Sequence, residues 1–197
     1  SGATLTLSSS DASKFLDVYG NIVVNGTIDG TEATLVLLGS TKTISGTPTD
    51  VSAVFLYARG GSSYTLNANW SIETLQTQDA GSTFNVASGV TLTSDNIYNR
   101  TDCSVILLGT GSLDINSSCA IIPEANSTFT MNSGTLYCNG NLGRNASATF
   151  NAGTGTVVLD GNTSTEIRAV YSFYNLTIAK DATDDIVTCQ DAADDIT

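Results

Sequence analysis

Six aspartates crowd the end of this 197-residue chain in a phrase stated twice. Asp181-Ala182-Thr183-Asp184-Asp185-Ile186 soon returns as Asp191-Ala192-Ala193-Asp194-Asp195-Ile196. Carboxylates this close repel one another unless a cation lies between them, and a hard cation such as Ca2+ takes oxygen ligands of this kind. Asp184, Asp185, Asp194 and Asp195 are the calcium candidates. The Asp-x-Asp-x-Asp-Gly loop of a dedicated calcium site is missing, so solvated turns are the default reading.

Four cysteines, Cys103, Cys119, Cys138 and Cys189, are the other chemically capable group. They show no C-x-x-C spacing, and the chain has no histidine to complete a zinc site. They read as one or two disulfides, with small buried apolar residues as the alternative. The spacing from Cys119 to Cys138 is close to one coil of a repeat and suits neighbouring rungs. The missing histidine also removes the commonest general base, and no catalytic residue is assigned.

Asn-X-Ser/Thr occurs at Asn25, Asn69, Asn99, Asn116, Asn126, Asn145, Asn162 and Asn175. These eight are about twice the chance expectation from 16 Asn and 52 Ser plus Thr. They are candidate N-glycan sites on an extracellular surface; the alternative is that turns are made of these residues anyway.

The elements that would carry these groups are set by a repeat. Thr128-Phe129 followed by Gly134-Thr135-Leu136-Tyr137-Cys138-Asn139-Gly140-Asn141 returns as Thr149-Phe150 followed by Gly155-Thr156-Val157-Val158-Leu159-Asp160-Gly161-Asn162. A looser copy, Thr83-Phe84 with Gly89-Val90-Thr91-Leu92, lies further upstream. A period near 20 with short apolar runs between Gly/Asn/Ser/Thr turns predicts a single-stranded parallel β-helix, in which each coil buries its inner face by stacking on a neighbour. Residues 1–197 then form one elongated domain of roughly nine coils, about 45 Å long at ~4.8 Å per strand. A β-sandwich is the alternative, since alternating strands with frequent turns fit that too.

Phe84, Phe129 and Phe150 hold one place in the repeats and are expected inside as an aromatic stack. Leu35-Val36-Leu37-Leu38-Gly39 and its echo Val105-Ile106-Leu107-Leu108-Gly109 are too apolar for one-sided strands and are expected to pack on both faces. Trp70, Tyr171, Phe173 and Tyr174 are expected in the core or in lateral packing, with an exposed sugar-stacking platform as the alternative. No window shows a 3.6-residue period, so helices should be few and short.

Charged residues are 13% of the chain, against a usual quarter or so, and the net charge is −12. That balance argues against nucleic acid and anionic membrane surfaces, which require Lys/Arg clusters. No apolar run approaches the roughly 18 residues of a membrane-spanning helix. The chain starts at Ser1-Gly2 without a basic-then-apolar leader. Joining Asp194-Asp195-Ile196-Thr197 to Ser1-Gly2-Ala3-Thr4-Leu5 reads like one more rung, which suggests copies stacked head to tail; the rival reading is a piece of a longer array.

The segment Gly153 to Asn162, followed by Ser172-Phe173-Tyr174-Asn175-Leu176-Thr177-Ile178, resembles repeats in large secreted bacterial and archaeal surface proteins. The resemblance is clear over roughly the last two-fifths of the chain. It implies a right-handed parallel β-helix and an extracellular address, and it brings no catalytic residues with it.

The function expected is therefore structural: a segment of an extracellular filament, sheath or adhesin stalk, glycosylated, with copies of itself and cell-surface glycans as partners. The alternative is a carbohydrate-binding or polysaccharide-cleaving β-helix. Cleavage would draw on the candidate aspartates with calcium and Arg168 or Lys180, although an acidic protein repels an acidic sugar. Ice binding through Thr-x-Thr pairs such as Thr91/Thr93 and Thr154/Thr156 is disfavoured, because the pairs do not recur at one register.

Overall fold

A computed structural model describes residues 4–6, 14–29, 33–116, 124–143, 147–168, 172–181, 183 and 185–189. All its strand pairings are parallel, and the described residues contain no helix. The chain is a β-solenoid. A sandwich needs antiparallel sheets joined by hairpins, so that alternative falls.

The long sheet has nine strands: Lys14–Val18, Ala33–Leu37, Val54–Ala58, Trp70–Thr77, Thr91–Asn99, Ser112–Ile115, Thr135–Cys138, Thr156–Gly161 and Asn175–Lys180. A second sheet of seven strands runs from Ile22–Val23 to Thr149–Asn151, and a third holds Leu142–Gly143, Thr165–Arg168 and Val187–Cys189. Coil length is not constant: Leu16 pairs with Leu35 across a short coil, and Val105 pairs with Phe129 across a longer one. Eight pairings span the long sheet, or about 38 Å at ~4.8 Å per step.

The core forms because alternate residues of each strand face a common interior and stack coil on coil. Leu35, Leu56, Leu75 and Ile97 make one inward column, and Leu92, Leu113, Leu136 and Val157 another. All eight are almost fully buried. On the second sheet Tyr64, Phe84, Val105, Phe129 and Phe150 are successive partners. The expected aromatic stack is therefore real but interrupted by Val105, whose coil the sequence repeat passes over. Buried Tyr64 anchors the coils beneath it, its Oη donating to the Val18 carbonyl at 2.8 Å.

Backbone approach sets the turns. Gly111, Gly134 and Gly155 follow one another where the chain passes from the second sheet to the long one. A Cβ on Gly134 would lie 2.3 Å from the Gly111 carbonyl oxygen, so only glycine lets the coils close up there. In the upstream copy Val90 holds this place and Gly89 lies one residue out of line, since Ser112 N–H donates to the Val90 carbonyl.

The two apolar runs part company. Ala33–Leu37 is buried on both faces, as expected, and its outward residues Thr34 and Val36 are register partners of Phe55 and Tyr57 in the next coil. Ser104–Leu107 lies on the second sheet and alternates normally, with Val105 and Leu107 buried. Trp70 is in the core at 2% exposure; Phe173 packs edge-on against Phe150, Tyr174 is exposed, and Tyr171 is outside the described residues.

Candidate functional site

The cysteines occupy different columns. Cys103 follows Ser62 and Ser82 and precedes Ser127 at one turn, a buried column in which each backbone N–H bonds within its own turn. Cys138 ends its strand inward, between Ile115 below and Leu159 above. Cys103, Cys138 and Cys189 are each unpaired, so the expected disulfides are not present among the described residues. The reason is register: the rung beneath Cys138 presents Ile115, while Cys119 lies four positions further along the chain, outside the described residues. Burial pushes the Cys138 thiol up to about 11 and raises that of Cys103, which disfavours the reactive thiolate at both.

The sequon asparagines divide by what their side chains do. Asn25 and Asn69 are exposed, and each accepts a backbone N–H from the next coil on its side-chain oxygen, from Thr47 at 3.1 Å and Thr91 at 2.8 Å. The nitrogen that would carry a sugar takes no part in those bonds. Asn116, Asn126, Asn162 and Asn175 are exposed; Asn145 is outside the described residues. Asn99 is fully buried, receiving the Thr77 hydroxyl at 2.7 Å and donating its amide nitrogen to the Thr128 carbonyl at 2.8 Å. In the folded coil it is a structural residue and offers no glycan site.

Of the calcium candidates, Asp184, Asp194 and Asp195 lie outside the described residues, as does Asp191. Asp185 is half-buried. No cluster of three or more acidic, Cys or His side chains suited to a metal ion occurs among the described residues. Arg168 belongs to the third sheet and binds Glu166, its Nε donating at 2.7 Å. Lys180 ends the long sheet, its ammonium on the Asp160 carbonyl. The two cations named for a cleaving site thus belong to different sheets and have local partners.

No protein-family model, curated protein or solved structure matches this chain. The coils stack as a parallel β-helix does, and these comparisons lend no support to a secreted, surface-protein origin.

Two features lie beyond sequence reading. One is the edge geometry of the long sheet. Lys14–Val18 and Asn175–Lys180 each have one edge unpaired among the described residues, with exposed Phe15, Tyr19 and Val23 near the first and Tyr174, Ile178 and Ile186 near the last. The other is an exterior patch. Successive outward positions on the long sheet are Val36, Tyr57, Gln76 and Tyr98 in one column and Thr34, Phe55, Thr74 and Asn96 in the next. Phe55 and Tyr57 stack with centroids 6.3 Å apart, and the Arg100 guanidinium lies 5.4 Å from the Tyr98 ring centre. No motif marks this patch, because its members come from four coils.

Proposed function

We propose that this chain is a structural element of an extracellular filament, sheath or adhesin stalk, in which the coils of one copy extend the ladders of the next. The observation that carries the reading is the long sheet itself: eight consecutive parallel pairings, ending at both sides in strands whose outer edges are unpaired among the described residues and are flanked by exposed apolar side chains. A free strand edge is a template for another strand, and a head-to-tail contact that does not close on itself builds a fibre. Load along the axis would be borne by ladders of backbone hydrogen bonds in every coil.

The charge balance sets the conditions. Copies carrying −12 each repel, so association is favoured by salt, which screens that repulsion, and by mild acid, which reduces it. Exposed sequons at Asn25, Asn69, Asn116, Asn126, Asn162 and Asn175 line the outside of such a fibre and would carry glycans without obstructing the axis.

Electron microscopy and sedimentation at low and high salt test this reading. The expected result is rods that lengthen in steps of one protomer as salt rises, with Ile178→Lys and Phe15→Lys each stopping growth while leaving the monomer folded. Monomers that stay single at high concentration and high salt would overturn it, as would association that both Lys variants leave unchanged.

A further inference from the structure

We propose that the outward patch around Tyr57, Gln76 and Tyr98 is a binding site for an uncharged saccharide chain, separate from the axial edges. Gln76 lies between Tyr57 and Tyr98 in their column and also lines an open cleft at the adjoining turn with Gln78, Asp79, Arg100, Asp102 and Glu124. An aromatic platform thus runs directly into a polar cleft. Sugar rings bind to such surfaces by laying their C–H faces on aromatic rings while amides and carboxylates take the hydroxyls.

The patch selects against other ligands. An extended peptide would dock by adding a strand, but residues 33–37, 55–58 and 74–77 are paired on both sides, so no backbone edge is free at Tyr57 and Gln76. An anionic polymer would meet Asp79, Asp102 and Glu124, while the cations beside them are engaged: Arg59 lies 3.6 Å from Asp79 and Arg100 is ion-paired with Glu124. Arg100 is also committed to the Tyr98 ring, which fixes the cleft-side end of the platform. Gln76 is about nine-tenths buried and donates its Nε2 to Gln78 Oε1 at 3.2 Å, so it forms a polar floor between the two tyrosines, while Gln78 and Asp79 face the cleft where hydroxyls would bond. Neutral hydroxyls, stacked and hydrogen-bonded, are what this combination takes.

The patch is largely supernumerary to the core. Val54, Leu56 and Ala58 fill the interior from the same strand that presents Phe55 and Tyr57 outward. Trimming the outer rings should therefore leave the coil intact.

Isothermal titration with cellohexaose, xylohexaose, mannohexaose and chitohexaose, and with hexagalacturonate as the anionic comparison, tests the proposal. At least one neutral hexasaccharide should bind and the galacturonate should not. Tyr98→Ala and Tyr57→Ala should each weaken binding about three- to tenfold, the worth of one stacking contact. Tyr98→Phe should restore it, and Tyr137→Ala, on a distant part of the same sheet, should change nothing. Circular dichroism confirms the fold of each variant. The proposal fails if the folded wild type binds none of the neutral sugars, if hexagalacturonate binds as well as they do, or if Tyr57→Ala and Tyr98→Ala bind as tightly as the wild type.

Discussion

Phe129 and Phe150, one coil apart, lie with ring centroids 5.8 Å apart and planes within 7° of parallel. Phe129 is fully buried between Val105 and Phe150, so its ring fills the interior from both neighbours' sides. Phe129→Ala should destabilise the fold by ~3–5 kcal/mol, as large-to-small changes in tight cores do. Phe129→Leu should cost well under half of that. Chemical denaturation of the three proteins gives the ordering, and equal stabilities would contradict the stacked interior.

The glycines separate close approach from conformational need. Gly134→Ala places a methyl 2.3 Å from the Gly111 carbonyl oxygen, and backbone rather than a side chain must move. Gly89 has φ of +74° but open space around it, so alanine there costs only the left-handed penalty of ~1–2 kcal/mol. At Gly20 neither applies, and alanine should be neutral or stabilising by up to ~1 kcal/mol. Thermal melts should rank Gly134→Ala lowest, then Gly89→Ala, then Gly20→Ala.

Thiol labelling reads the register directly. Cys189 is exposed, whereas Cys138 is buried with its thiol raised to about 11. An aromatic disulfide reagent at mildly alkaline pH should label Cys189 quickly, and Cys138 should be modified only after unfolding. Mass mapping of labelled peptides checks this. Rapid labelling of Cys138 in the folded protein would mean that its strand faces the other way.

Two aspartates on the long sheet are held protonated longer than usual. Burial is the first cause at both Asp114 and Asp160; at Asp114 the Asp160 charge adds to it, and at Asp160 the Asp181 charge does. A carboxyl whose folded pKa lies above its unfolded value binds more protons when folded. Its charged form therefore destabilises the fold at neutral pH, and that burden is lifted as pH falls through the folded value. Asp114→Asn and Asp160→Asn should each raise the melting temperature at pH 7, with the gain shrinking toward pH 4. Glu124 works oppositely: its hydrogen bond from Arg100 holds the carboxyl below its usual range, so Glu124→Gln should cost stability at neutral pH and less in acid. Melting curves of the three variants between pH 4 and 8 decide both signs.

The parallel coil is legible in the sequence because a stacked fold repeats its demands. Each coil must supply an inward aromatic or aliphatic residue at one place and a small residue at the turn, and Phe129/Phe150 with Gly134/Gly155 state that demand twice at close to one spacing. Alternation in runs such as Val54–Ala58 likewise separates inner from outer faces within the sequence itself. Register is not legible, because coils differ in length, as the Leu16–Leu35 and Val105–Phe129 pairs show, and each difference shifts what lies above what. That is why a spacing of about one coil does not pair Cys119 with Cys138, and why Gly89 aligns with Gly134 in sequence while Val90 holds that place in the fold. The fate of Asn99 and the gathering of Tyr57, Gln76, Tyr98 and Arg100 are likewise decided only by stacking. A sequon is a local pattern, whereas burial and a surface patch depend on which coils become neighbours.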